Sequence, residues 1–179
     1  MIPLHYYCSF NAKEYPANLE VLALLLENFP ESPMVLNVFM ETPLYQYLCL
    51  DHPDKNVIYC ILNYCPLAVT VKCKERLPIH TLLSPRYCTN ACYIENIDCI
   101  KALIQTYPES ILSEVTDDRI VMGFSNSSDN IAVNTRITST WSPFSLTKES
   151  EVLHQIIEGT ISSIALKKVD MDKKIKYIK

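Results

Sequence analysis

Thr42-Pro43-Leu44-Tyr45-Gln46-Tyr47-Leu48-Cys49-Leu50 opens a stretch, ending at Arg76, around which the rest of the chain is patterned. This short apolar segment breaks at Asp51-His52-Pro53-Asp54-Lys55 and resumes as a second one, Asn56 to Cys65. Pro66 stops the second segment, because proline lacks an N–H and disfavours helical geometry at the residue before it. A polar-rich link, Val71 to Arg76, leads into Leu77-Pro78-Ile79-His80, where the pattern starts again. Helix, break, helix and link, repeated with a period in the thirties, predict a mostly α fold, an αα solenoid.

The same order appears upstream. Ile2-Pro3-Leu4-His5-Tyr6-Tyr7-Cys8 is followed by a break from Asn11 to Pro16 and by Leu19 to Glu27, a strong helix former ended at Phe29-Pro30. Asn18 is placed to cap that helix. Downstream, Leu77 to Leu83 precedes a break from Ser84 to Tyr93. A helix follows in which Ile97, Ile100 and Ile104 recur at spacings of three and four, with Leu103 widening the stripe. Its ending, Tyr107-Pro108-Glu109-Ser110, matches Phe29-Pro30-Glu31-Ser32. Opening and closing prolines lie 27, 23 and 30 residues apart, whereas the next opening follows the closing proline after 13 and 12. A nearly fixed link sets how one unit stacks on the next, and a variable break is a tolerated surface loop.

Counting 13 beyond Pro108 reaches Val121, so Arg119 to Phe124 reads as a degenerate fourth opening. Residues 1–124 are then three units plus this degenerate fourth, and 125–145 a polar loop rich in Ser, Asn and Thr. Within that loop Trp141-Ser142-Pro143-Phe144 is placed to dock back on the last unit. Residues 146–166 read as a closing helix and 167–179 as a lysine-rich tail, with six lysines and two aspartates.

Composition limits the alternatives. With 49% hydrophobic and 20% charged residues the chain is ordinary for a folded domain, but two glycines among 179 residues are few. Phosphate loops and dinucleotide folds need glycine where φ is positive or backbone approaches a ligand, so those classes are disfavoured. A net charge of −4 gives no general basic bias toward nucleic acid. No apolar run reaches the roughly 18–20 residues of a membrane span, and Met1 to His5 lacks signal-peptide architecture. Eight cysteines are therefore expected as reduced, small hydrophobes in a cytoplasmic or nuclear protein.

Thr42-Pro43-Leu44, Ile2-Pro3-Leu4-His5 and Leu77-Pro78-Ile79-His80, each followed by two short helices and a link of this length, resemble the openings of ankyrin repeats. The resemblance covers about residues 2–124 and implies a fold in which Pro3, His5, Thr42, Pro43, Pro78 and His80 are structural, the histidines bridging backbone groups. It has departures. The family's turn glycine, three residues before the opening proline, is replaced by Met40 and Glu75. Its small alanine pair is replaced by Tyr7-Cys8, Tyr47-Leu48 and Leu82-Leu83, bulk that is expected to push the first helices apart.

The function implied by the resemblance is a non-catalytic scaffold that holds another protein through link tips and first-helix positions. The matching positions are Glu41 and Arg76, with Asn37, Lys72, Lys74, Asp117 and Asp118 as neighbouring tips and Tyr6 and Gln46 on the first helices. No Gly-x-Ser-x-Gly, His-Glu-x-x-His or Walker-type sequence is present, and no acid–base pair is visible, so no enzyme, cofactor or small-molecule substrate is expected. Cys88-x3-Cys92 with His80 and Cys99 is the nearest approach to a zinc set. It lacks the close Cys-x2-Cys pair, so no metal is expected. A piece of a larger ankyrin-containing protein, or a zinc- or redox-active cysteine protein, are the alternative readings.

Overall fold

The computed structural model describes residues 2–9, 17–50, 52–83, 94–124, 132–146 and 150–178, with backbone only at 117–124, 132–139 and 166–178. The breaks expected at 11–16 and 84–93, and with them Cys88 and Cys92, lie outside the described residues. The described chain is mostly helical, with one small antiparallel sheet.

Three helix pairs come first. They are α1 (Pro3–Tyr7) with α2 (Leu19–Asn28), α3 (Pro43–Leu48) with α4 (Lys55–Tyr64), and α5 (Pro78–Leu82) with α6 (Ile97–Thr106). Proline stands at the first helical position of α1, α3 and α5, where its missing N–H costs nothing and its fixed φ suits the helix. Asn18 Oδ1 accepts from the Glu20 and Val21 amides, each at 3.1 Å, as its capping position predicts. Asp54 does the same for α4, accepting from the Asn56 amide at 2.8 Å. Short 3-10 turns, Ser32–Met34, Pro66–Thr70 and Pro108–Leu112, continue each pair into its link, and the second and third begin on the closing proline itself.

Contacts sort the helices into two rows: α1, α3 and α5 pack in sequence, and so do α2, α4 and α6. Each later first helix also rests on the preceding 3-10 turn, α3 on Ser32–Met34 and α5 on Pro66–Thr70. Leu4, Leu22, Leu26, Leu44, Ile58, Ile61, Ile79, Ile100 and Leu103 are fully buried in a single core cluster shared by all three pairs. Two tyrosines of the first helices have a bonding role. Tyr7 Oη donates to the Asn18 carbonyl at 3.1 Å, and Tyr47 Oη accepts from the Asp54 amide at 3.0 Å. Each tyrosine thus ties its first helix to the start of the second.

Beyond Pro108 the structure departs from the expected layout. Arg119 to Phe124 is not an opening but part of β1 (Val115–Phe124), which pairs antiparallel with β2 (Ala132–Trp141) from Val115↔Trp141 to Phe124↔Ala132. The segment 125–145 is therefore no continuous polar loop, and a boundary at 124 divides a hairpin between its strands. A further short helix led by proline, α7 (Pro143–Leu146), begins instead in Ser142-Pro143-Phe144-Ser145. Its chemistry matches the others. Ser142 Oγ accepts from the Ser145 amide at 3.2 Å, as Thr42 Oγ1 accepts from the Tyr45 amide at 3.2 Å. Ser145 Oγ in turn accepts from the Ser142 amide at 2.9 Å, where the third unit uses His80 Nδ1 to accept from the Leu77 amide at 3.0 Å. α7 rests on Pro108–Leu112, continuing the pattern of the earlier first helices.

Counting residues failed because a β-hairpin satisfies its own backbone, so a link can lengthen without changing how its base closes. α8 (Glu151–Ile178) then packs on α6 and extends the second row. The closing helix expected at 146–166 thus starts at Glu151, and it continues without a break through the lysine-rich tail, expected at 167–179, to Ile178. Leu153, Ile156 and Ile157 bury its first half in the common core. No described helix is long and apolar enough to cross a membrane. If Ser142 caps α7 as these bonds show, Ser142→Ala lowers the unfolding free energy in urea by about 0.5–2 kcal/mol; an unchanged midpoint and slope would contradict that cap.

Candidate functional site

Link tips and first helices lie together along one side of the chain. In the first link the Asn37 amide donates to the Glu41 carbonyl (2.9 Å), the Met40 amide donates to the Asn37 carbonyl (3.0 Å), and Asn37 Oδ1 accepts from the Phe39 and Glu41 amides (2.8 and 3.1 Å). In the second link Cys73 and Arg76 exchange both backbone bonds, at 2.8 and 3.0 Å, across a two-residue turn. That turn is made by Lys74 and Glu75, with φ of 53° and 62°, and the first link turns at Met40, φ 59°. Positive φ at both central residues is what a type I′ turn requires. Met40 and Glu75 therefore take the backbone geometry that glycine would provide, and the tight turn forms without it. A side chain in this region costs roughly 1–2 kcal/mol, which the closed link must hold.

Polar side chains cross from unit to unit on this side. Ser9 Oγ donates to the His5 carbonyl (2.8 Å), Gln46 Nε2 donates to Ser9 Oγ (2.6 Å), and Asn37 Nδ2 donates to Gln46 Oε1 (3.4 Å). Glu41 and Lys74 form an ion pair at 2.6 Å that joins the first and second tips, with Lys74 more than half exposed. An exposed pair of this kind contributes at most about 1 kcal/mol, so its main effect is to place the two tips side by side. Tyr6 and Lys72 are exposed and Arg76 is half-buried. Asp117 and Asp118 lie on β1, opposite Ser139 and Thr138 in register. The structure thus gathers Asn37, Glu41, Gln46 and Lys74 and puts the two aspartates on the hairpin.

The histidines bind backbone of the next link. His5 Nε2 donates to the Glu41 carbonyl at 3.0 Å, and fully buried His80 donates from Nε2 to the Ser113 carbonyl at 2.8 Å. In the middle pair, which carries Tyr45 and no histidine there, Thr42 makes the contact to the following link. Its amide lies 3.3 Å from Cys73 Sγ, whose thiol donates to Thr42 Oγ1 at 3.7 Å. Trp141, at the base of the hairpin, meets the His80 ring edge-on with centroids 5.4 Å apart. Because His80 Nδ1 accepts an N–H, the ring is neutral, and burial holds its pKa below 6.5 against the opposing effect of the Ser113 bond.

Among the described cysteines, Cys8, Cys73 and Cys99 are buried. Burial pushes the Cys8 thiol up, the Cys49 thiol up to about 11 and the Cys99 thiol up to about 12, so each is a protonated, poor nucleophile near neutrality. Among the described residues no group of three His, Cys, Asp or Glu stands close enough to hold a metal.

One feature of the tips escapes a reading based on charge. Val38, Phe39 and Met40 are 90%, 68% and 59% exposed, an apolar cap on the first turn. The signal was present in the sequence, as three apolar letters in the middle of a link, where a turn is expected to be polar. Comparison with family models, curated proteins and solved structures finds no match for the chain.

Two outcomes test this geometry. Glu75→Gly relieves the left-handed strain and, after the extra entropy of glycine in the unfolded chain, raises stability by about 0.5–1 kcal/mol; a lower melting temperature would show that the turn is not as described. His80 is held neutral, so the unfolded state binds its proton first, and its contribution is present above pH 6.5 and lost as pH falls below it. Between pH 7.5 and 5.5 the melting temperature of His80→Gln falls less than that of the parent protein; equal slopes would remove His80 from the pH response.

Proposed function

We propose that the chain is a divergent ankyrin-type module that binds another protein through its link tips and first helices, without catalysis. The observation that carries the reading is the Glu41–Lys74 pair, which joins two successive tips into a continuous surface. Further support comes from the turns at Met40 and Glu75, at the places where the family has glycine, and from the repeated anchoring of histidine or threonine on the following link. The alternation of tips, apolar at Val38–Met40 and charged at Lys74-Glu75, suits a partner surface with an apolar contact beside a polar one. Polar groups on this face bond to each other and to backbone, an arrangement for holding shape and not for moving protons.

A charge exchange tests the face without removing its ion pair. Glu41→Lys combined with Lys74→Glu keeps opposite charges in contact but inverts the pattern that a partner meets. Affinity capture from the native cell, quantified against the parent protein, is expected to lose its specific partner by tenfold or more while the melting temperature stays within a few degrees. An unchanged partner list would place the binding face elsewhere.

A further inference from the structure

We infer that this chain self-associates by exchanging the Val38-Phe39-Met40 tip of one copy into an apolar hollow of a second copy, and the reverse, about a two-fold axis. The hollow lies between α1, the end of α2 and the Ser32–Met34 turn, has a volume of about 220 Å³, and is lined by Ile2, Leu4, Leu25, Phe29 and Val35, with Glu31 at its edge. Small-molecule pockets run to roughly 300–1,000 Å³, so this one suits a side chain or two and not a cofactor. Ser32, which also lines it, is buried with its hydroxyl unpaired, whereas Ser110, at the same place in the third unit, donates to the Tyr107 carbonyl at 2.6 Å.

Position argues for a second copy. Val35 lines the hollow and Val38 begins the tip, so protrusion and hollow lie within about 11 Å along the chain. A surface that carries a protrusion beside a hollow is self-complementary under a two-fold axis, and both tips are then buried at once. Head-to-tail insertion leaves one tip and one hollow open at every stage. Area points the same way. The tip residues and Phe29 expose roughly 500 Å² of apolar surface per copy, at the upper end of what monomers show. Two copies together remove roughly 1,000 Å², the lower bound for a specific interface. This inference does not rest on the proposed binding of another protein; in the dimer the Val38–Met40 tip is occupied, and the Glu41–Lys74 part of the face is what stays open to such a partner.

Sedimentation of the purified chain across a micromolar concentration series is expected to show reversible dimers. Phe39→Asp, at an exposed tip, raises the dissociation constant by about thirtyfold, as loss of a central aromatic anchor does, with an unchanged melt. Val35→Asp in the hollow has the same effect. The deciding step is to mix the two variants, because an intact tip from one then meets an intact hollow from the other and dimers partly return. A monomer at every concentration, a dimer indifferent to Phe39→Asp, or a mixture that stays monomeric would each overturn the proposal.

Discussion

Everything in this chain depends on closure of the links. The first helices are five or six residues long, and isolated helices of that length do not persist in water, because nucleation costs more than so few bonds return. Each exists because proline fixes its first turn and a neighbouring unit covers its apolar face, with side chains adding bonds at the start of α3 and α5. The neighbour is delivered by the link. Three links close by backbone bonds at their base, at Asn37 with Glu41, Cys73 with Arg76 and Val115 with Trp141, and the closing residue stands two before the next opening proline each time. A link that opened would release the next first helix from the 3-10 turn on which it rests.

Near-absence of glycine shapes how that closure is made. Met40, Lys74 and Glu75 occupy the left-handed region, and the strain is held by bonds that converge on the same few residues. Asn37 is the clearest case, with its backbone and side chain receiving three amide bonds from its own turn while its Nδ2 reaches Gln46. His5, His80 and the Thr42–Cys73 contact add a second attachment from the preceding unit. Two different side-chain solutions serve one requirement, which is to fasten a link to the helix pair before it. The hairpin of the third link is fastened in the same way, through Ser113 and the packing of Trp141 on His80.

The polar order of the tips is a by-product of this fastening and also what makes them available as a surface. Ser9, Gln46 and Asn37 form a bonded row, and Glu41 with Lys74 continues it to the next tip. Side chains fixed in this way lose little entropy on contact with a partner, which lowers the cost of binding. Against that row, Val38, Phe39 and Met40 are an anomaly that link closure does not need, since the turn bonds involve their backbone alone. Residues that a fold does not require and solvent does not favour are reasonable places to look for contacts outside the chain.

Helix positions were legible in the sequence because their determinants are local. Proline at the first helical position, Asn18 as a cap, and apolar residues at spacings of three and four place α1 to α6 without reference to anything distant. The identities of many tip residues were legible for the same reason, since a link of fixed length between two prolines locates its middle. What the tertiary structure decided was where chain length is not a guide. The third link holds a β-hairpin between the same two anchors, so the next short helix led by proline begins in Ser142-Pro143-Phe144-Ser145 although these letters sit within a stretch rich in Ser, Asn and Thr. The left-handed turns at Met40 and Glu75 were likewise decided by closure, because neither residue prefers that geometry by itself. Local preference sets where a helix can begin; only packing and backbone pairing across units set which segments must meet.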